Sequence, residues 1–130
     1  MKVIYMSIFC LLLFACASDR NVIPQDLTPG NLVQKAQEEA DNNNYNRAAL
    51  FYNAILERFP DDRAAVCGAQ YEIAFIYYKQ KKYDEAEQEF NVLLDRYGDS
   101  DGDLLPQKYY ILSNIVLENI NKARQKQKKK

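Results

Sequence analysis

The chain has no histidine and no tryptophan, and its cysteines are only Cys10, Cys16 and Cys67. Without imidazole, and with a single cysteine beyond the N-terminal segment, zinc sites of the structural type and Ser-His or Cys-His nucleophilic catalysis are excluded by inventory. The same count rules out an internal disulfide framework, so Cys67 reads as a small apolar residue on a helix. Carboxylates are plentiful but poorly placed for chemistry. The run Asp99-Ser100-Asp101-Gly102-Asp103 has its glycine too early for an EF-hand loop and no glutamate at the twelfth position, so it reads as a solvated turn. Glu38 with Glu39, and Glu85 with Glu87 and Glu89, lie on amphipathic helix surfaces without an evident cleft. The paired-carboxylate arrangement of a glycan-cleaving enzyme is therefore not favoured, and no cofactor is implied.

What the chain does have is one stretch written twice. Residues 45–60 read YNRAALFYNAILERFP and residues 83–98 read YDEAEQEFNVLLDRYG. A shift of 38 aligns Tyr45 with Tyr83, Ala48 with Ala86, Tyr52 with Phe90, Leu56 with Leu94 and Arg58 with Arg96. Self-similarity at such a period implies stacked supersecondary units, none of which can bury its apolar face alone.

Helix signals fill in the units. Thr28-Pro29 opens a first helix, threonine as N-cap and proline at the first helical position, running to about Asp41 with Leu32, Ala36 and Ala40 on one face. Asn42-Asn43-Asn44 ends it. A second helix, about Tyr45 to Phe59, carries Ala48, Tyr52, Ile55, Leu56 and Phe59 at amphipathic spacing until Pro60 stops it. Asp61 and Asp62 open a third, which passes through Gln70, Ile73, Ala74 and Tyr77 to about Gln80, with Lys81-Lys82 as the turn. A fourth spans about Tyr83 to Tyr97 and ends at Gly98, expected in the left-handed closing conformation. After the acidic loop a fifth runs from Leu105 or Pro106 to about Lys122. Its polar stripe (Asn114, Glu118, Asn121, Gln125) is narrow, so its apolar surface is wider than one neighbour would cover and points to a partner. The expected fold class is all-α: two helix pairs plus a fifth, unpaired helix.

The N-terminus is of another kind. Lys2 precedes an apolar run from Val3 to Phe14 that falls short of the ~20 residues a transmembrane helix needs, which reads as a secretory signal over residues 1–15. Within Leu13-Phe14-Ala15-Cys16, the residues Leu13, Ala15 and Cys16 resemble the lipobox of bacterial lipoproteins. That resemblance implies diacylation of Cys16 as the first mature residue; an ordinary signal peptide cut near Ala15 or Ala17 is the alternative. Two or three acyl chains anchor a protein firmly. By resemblance to enterobacterial lipoprotein sorting, in which an aspartate after the lipid cysteine argues for inner-membrane retention, Ala17 implies the outer membrane. Residues 16–27 are then the lipidated cysteine and tether, 28–123 the repeat domain and 124–130 a basic tail. Charge is uneven: residues 17–121 hold 18 acidic and 10 basic side chains, whereas 122–130 hold six basic and none acidic. The tail suits a helix C-terminus, and offers a contact for anionic headgroups or an acidic partner surface.

The helices resemble the tetratricopeptide pattern, with Ile73, Ala74, Tyr77, Tyr83, Ala86, Phe90 and Leu93 at its apolar and small positions. The period of 38 instead of 34 adds about one helical turn per unit, at the start of the third helix. The lipobox, Thr28-Pro29, Tyr45-x-x-Ala48, Glu57-Arg58-Phe59-Pro60 and the helix Tyr71 to Tyr78 together resemble the N-terminal part of the BamD family, tetratricopeptide lipoproteins of the outer-membrane β-barrel assembly complex. The resemblance implies a tetratricopeptide-type α-solenoid without enzymatic activity, lipid-anchored at the periplasmic face of the outer membrane. It also implies partners among the barrel-forming subunit of that complex and unfolded outer-membrane proteins, and no nucleic acid. A generic tetratricopeptide adaptor lipoprotein for a secretin, envelope-coordination or transport complex is the alternative. That family usually has about five repeats, against two and a half here, so the fifth helix is expected either to be capped or to act as a docking edge. Expected partner-binding residues are Gln34, Gln70, Tyr71, Tyr78, Tyr110, Ile111 and Leu117, since tyrosines give large contact area with a polar tip. Substituting Cys16→Ala should release the protein from membranes on fractionation; continued membrane association would overturn the lipid anchor and point to the basic tail.

Overall fold

In the computed structural model, which describes residues 22–129, helix α1 (Pro29–Asp41) starts where Thr28-Pro29 dictates: the Asn31 N–H donates to Thr28 Oγ1 at 3.3 Å. Cys16 and residues 1–15, expected as a secretory signal, lie outside the described residues. Helix α2 (Tyr45–Arg58) stops before Pro60, and α3 (Arg63–Lys79) is capped by Asp62, whose Oδ1 accepts from the Ala65 N–H at 3.0 Å. Helix α4 (Tyr83–Asp95) follows, then two short 3-10 turns at 96–98 and 102–104, then α5 (Gln107–Lys128). No strand occurs among the described residues. At 17 residues α3 is four longer than α1, the extra turn expected from the period of 38.

The repeat is visible in the turns as well as the helices. Asn42, Asn43 and Asn44 donate their N–H groups to the carbonyls of Glu38, Ala40 and Glu39, and Gln80, Lys81 and Lys82 donate theirs to Ile76, Tyr78 and Tyr77, the same pattern 38 residues on. Each closure needs one residue in the left-handed region: Asn43 at φ 60° and Lys81 at φ 61°. Asparagine tolerates this better than lysine, which gives up roughly 1–2 kcal/mol there.

The hairpins α1/α2 and α3/α4 stack through α2 and α3, and α5 lies across α3 and α4. Two buried clusters result. One joins Leu32, Ala36, Ala48, Phe51, Tyr52 and Ile55 to Ala69, Ile73 and Ile76 of α3. The other joins Cys67, Tyr71 and Ala74 of the same helix to Ala86, Phe90, Leu93, Leu105, Val116 and Ile120. Ala48 and Ala86, equivalent by the shift, are both fully buried, as helix backbones in close approach require.

Three expectations are corrected. Helix α4 ends at Asp95, and Gly98 has no positive φ because a 3-10 turn closes the helix. The glycine the loop needs is Gly102, where a Cβ would stand 2.3 Å from the Tyr97 carbonyl oxygen. Helix α5 extends to Lys128 because its C-terminal part is tied down: Arg124 donates to Glu87 Oε2 at 2.6 Å and to Asp84. Residues 23–27, expected as the end of a tether, lie against the fold. Ile23 and Leu27 pack on the first cluster, and the Arg58 guanidinium donates to the Pro24 and Ile23 carbonyls at 2.7 and 3.0 Å.

Because Phe90 is fully buried at the centre of the second cluster, Phe90→Ala should cost about 3–5 kcal/mol. In a melting experiment that is a drop of more than about 10 °C; an unchanged melting temperature would show the core to lie elsewhere.

Candidate functional site

Helix α3 uses most of its circumference for the two cores, and what remains is one arc bearing Gly68, Glu72, Phe75 and Lys79 at helical spacing. Gly68 is roofed by α5. The Tyr109 hydroxyl lies 2.7 Å from where a Cβ would stand, so the missing side chain is what lets that ring cross α3. From Tyr109 an aromatic ladder runs along α3: Tyr109 to Tyr71 at 5.6 Å between centroids, Tyr71 to Phe75 at 5.8 Å, Phe75 to Tyr78 at 5.6 Å and Tyr78 to Tyr83 at 6.1 Å. Phe75 and Tyr78 are half-buried, leaving part of each ring to solvent. Such offset and tilted pairs add roughly 0.5–1.5 kcal/mol each beyond their buried area, so the ladder is stiff.

The arc also holds opposite charges. Burial pushes the Glu72 carboxyl above its ordinary value, and Lys79 two turns on pulls it partly back. Lys79 itself lies over the Tyr45 ring, 5.6 Å from the centroid. The result is an apolar, aromatic floor with one carboxylate and one ammonium. Such a surface offers aromatic contact area with one charge of each sign.

The expected partner-binding residues separate into three groups. Tyr78 lies on the ladder beside this arc. Tyr71 does not reach solvent usefully: it is 9% exposed, wedged among Phe75, Phe90 and Tyr109, and is packing. Leu117 is partly buried and packs on the second cluster, as Phe75 and Tyr78 also do, but it stands on α5, away from the arc of α3. Gln70 is half-buried with its Oε1 enclosed and without a hydrogen-bond partner among the described residues. Gln34 is exposed on α1, its Nε2 donating to Glu38 Oε1 at 3.0 Å. Tyr110 and Ile111 are exposed on α5, but Tyr110 sits against Tyr97 at the α4 side, 5.4 Å between centroids, away from the ladder. Residue type alone does not mark Glu72 and Phe75 as site residues; their shared place on the helix does. The signal available was the glycine four residues before Glu72.

Away from this arc, Cys67 is fully buried and burial pushes its thiol up, with the Tyr97 hydroxyl and Arg96 pulling it back. Tyr97 is pushed up to about 12, chiefly by burial, and donates to the Pro106 carbonyl at 2.8 Å. The thiol is thus inaccessible to a partner chain. In the acidic loop, Asp101 pairs with Arg63 at 3.1 Å and ties the loop to the start of α3. Among the described residues no helix is long and apolar enough to cross a membrane.

Comparison with known proteins agrees with this architecture. The sequence pattern of the tetratricopeptide repeat family matches residues 39–105. The chain is 36% identical over 110 residues to an uncharacterized protein of Treponema pallidum (strain Nichols), covering 83% of this chain and 44% of that protein. It is 37% identical over 81 residues to the outer membrane protein assembly factor BamD of Neisseria meningitidis serogroup B (strain ATCC BAA-335 / MC58), covering 58% of this chain and 30% of that protein. The BamD of Neisseria gonorrhoeae matches to the same extent, 37% over 81 residues. The chain therefore spans less than half the length of these relatives, 44% and 30%. No solved structure matches it.

Because its folded-state pKa is raised, Glu72 favours the fold when protonated and opposes it when ionised. Glu72→Gln should therefore raise the melting temperature at pH 7, and the gain should shrink as pH falls below the ordinary carboxylate range near 4. A variant less stable than the parent at pH 7 would show that the carboxylate is held by a favourable partner.

Proposed function

The chain belongs to the tetratricopeptide repeat family, and on that premise we propose that it is a non-enzymatic scaffold in the assembly of β-barrel outer-membrane proteins, held at the periplasmic face of the outer membrane through lipid on Cys16. The observation that carries the reading is the partly exposed aromatic pair Phe75 and Tyr78 on the arc of α3, between an acid and a base. An extended segment of an unfolded outer-membrane protein, or a domain of the barrel-forming subunit, would lie along this arc. Phe75 and Tyr78 take its apolar side chains, and Glu72 and Lys79 fix its direction by pairing with its charges. A stiff aromatic floor binds varied sequences with little loss of its own freedom, which suits a client that has not yet folded. Similarity to an outer membrane protein assembly factor over 58% of the chain supports the choice of client.

Affinity purification of the chain from detergent-solubilised membranes should recover the barrel-forming subunit or unfolded barrel proteins. Phe75→Ala should weaken that capture by about 2 kcal/mol, the scale of an aromatic hot spot. Recovery of secretin or transporter components without the barrel-assembly subunit would overturn this client and favour an adaptor for another envelope complex.

A further inference from the structure

The outward face of α5 belongs to neither core nor to the arc of α3. Ile111, Ile115 and Leu112 are 58%, 49% and 39% exposed there, on the side of the helix away from the buried Val116 and Ile120. At 3.6 residues per turn, Lys108, Glu118, Lys122 and Lys126 share this face with them. The face is apolar in its N-terminal half and basic in its C-terminal half. Just before its apolar half lies the acidic loop with Asp99, Asp101 and Asp103.

We propose that a second copy of this chain covers the face, with the two α5 helices antiparallel about a twofold axis. If Ile111 is set opposite Ile115 of the second copy, the twofold also sets Ile115 opposite the second copy's Ile111, so the apolar halves cover each other. The same register places Lys108 opposite the second copy's Glu118. It also carries Lys122 and Lys126 past the start of the second copy's α5, to the level of its acidic loop. Each half of the face therefore meets what it lacks, and each contact occurs twice, as a closed twofold interface requires. Shifting the centre to Ile115 would instead oppose Lys108 to Lys122, so charge selects the register. The exposed pair Lys122 to Glu118 within one chain, at 2.6 Å, is no obstacle, because such pairs contribute little. Helix α5 already uses this logic on its inner side. There Val116 and Ile120 join Ala86, Phe90 and Leu93 of α4, and Arg124 ends the row on Asp84 and Glu87. A contact made by one helix pair is small, so the dimer should be concentration-dependent.

The test uses the full chain in detergent micelles, with mass from light scattering over a roughly hundredfold concentration range. A monomer–dimer equilibrium is expected, weakened at least tenfold by Ile115→Ser. Leu50→Ser, at an exposed apolar site on α2 away from α5, should leave it unchanged. Charge exchange supplies the decisive arm. Lys122→Glu with Lys126→Glu in one chain should abolish self-association, as should Asp99→Lys with Asp103→Lys in another, while a mixture of the two should restore dimers. All the substituted side chains are exposed, and circular dichroism melts check that each variant folds. A chain that stays monomeric throughout, a dimer that survives Ile115→Ser, or a mixture that fails to restore association would each overturn the proposal. None of these readouts involves a client, so the dimer and the barrel-assembly role stand or fall separately.

Discussion

The molecule depends on α3 being a shared wall. A helix pair in this chain is too thin to bury its own apolar residues, so α3 gives Ala69, Ile73 and Ile76 to one hairpin and Cys67, Tyr71 and Ala74 to the other. Its two duties fix the rest. Small residues must stand where backbones approach, at Ala48, Ala74 and Ala86, and a glycine must stand where the ring of Tyr109 crosses. Along the middle of α3 solvent still reaches Glu72, Phe75 and Tyr78, with Lys79 exposed beyond them, and the candidate site lies there.

That economy has an electrostatic side. Glu72 is the carboxylate this arc holds half-buried, raised by desolvation with Lys79 as partial compensation. An arc that leaves an acid under-solvated is less stable than one that does not. The aromatic ladder works in the opposite sense, since its rings are already held by one another and lose little on binding. Rigidity and a residual charge demand therefore meet in the same few residues.

Much of the fold was legible because it is written in local chemistry. Thr28, Asp62 and Pro60 mark helix ends through caps and a missing donor, and the shift of 38 carried the Asn43 turn onto Lys81. What was not legible depends on residues far apart in sequence. The extension of α5 to Lys128 rests on Arg124 reaching Glu87, 37 residues away, and the glycine requirement moved from Gly98 to Gly102 because of one approach to the Tyr97 carbonyl. Tyr71 and Tyr78 are of the same type and stand seven residues, about two helical turns, apart on α3. Only packing against Phe90 and Tyr109 tells that one is enclosed and the other partly exposed.

The grip of Arg58 on the N-terminal arm is made to the carbonyls of Pro24 and Ile23 and not to their side chains. Every residue has a carbonyl, so the course of the arm tolerates substitution at those two positions so long as the backbone keeps its path. Val22 and Ile23 run beside Leu50, Asn53 and Arg58 on the flank of α2, and α5 packs on α3 and α4 at the far end of the stack. An attachment leading upstream from Val22 thus leaves the molecule at the α2 flank, and the outward side of α5 stands clear of it. The N-terminal arm and α5 stand on opposite flanks, spaced by the two hairpins between them.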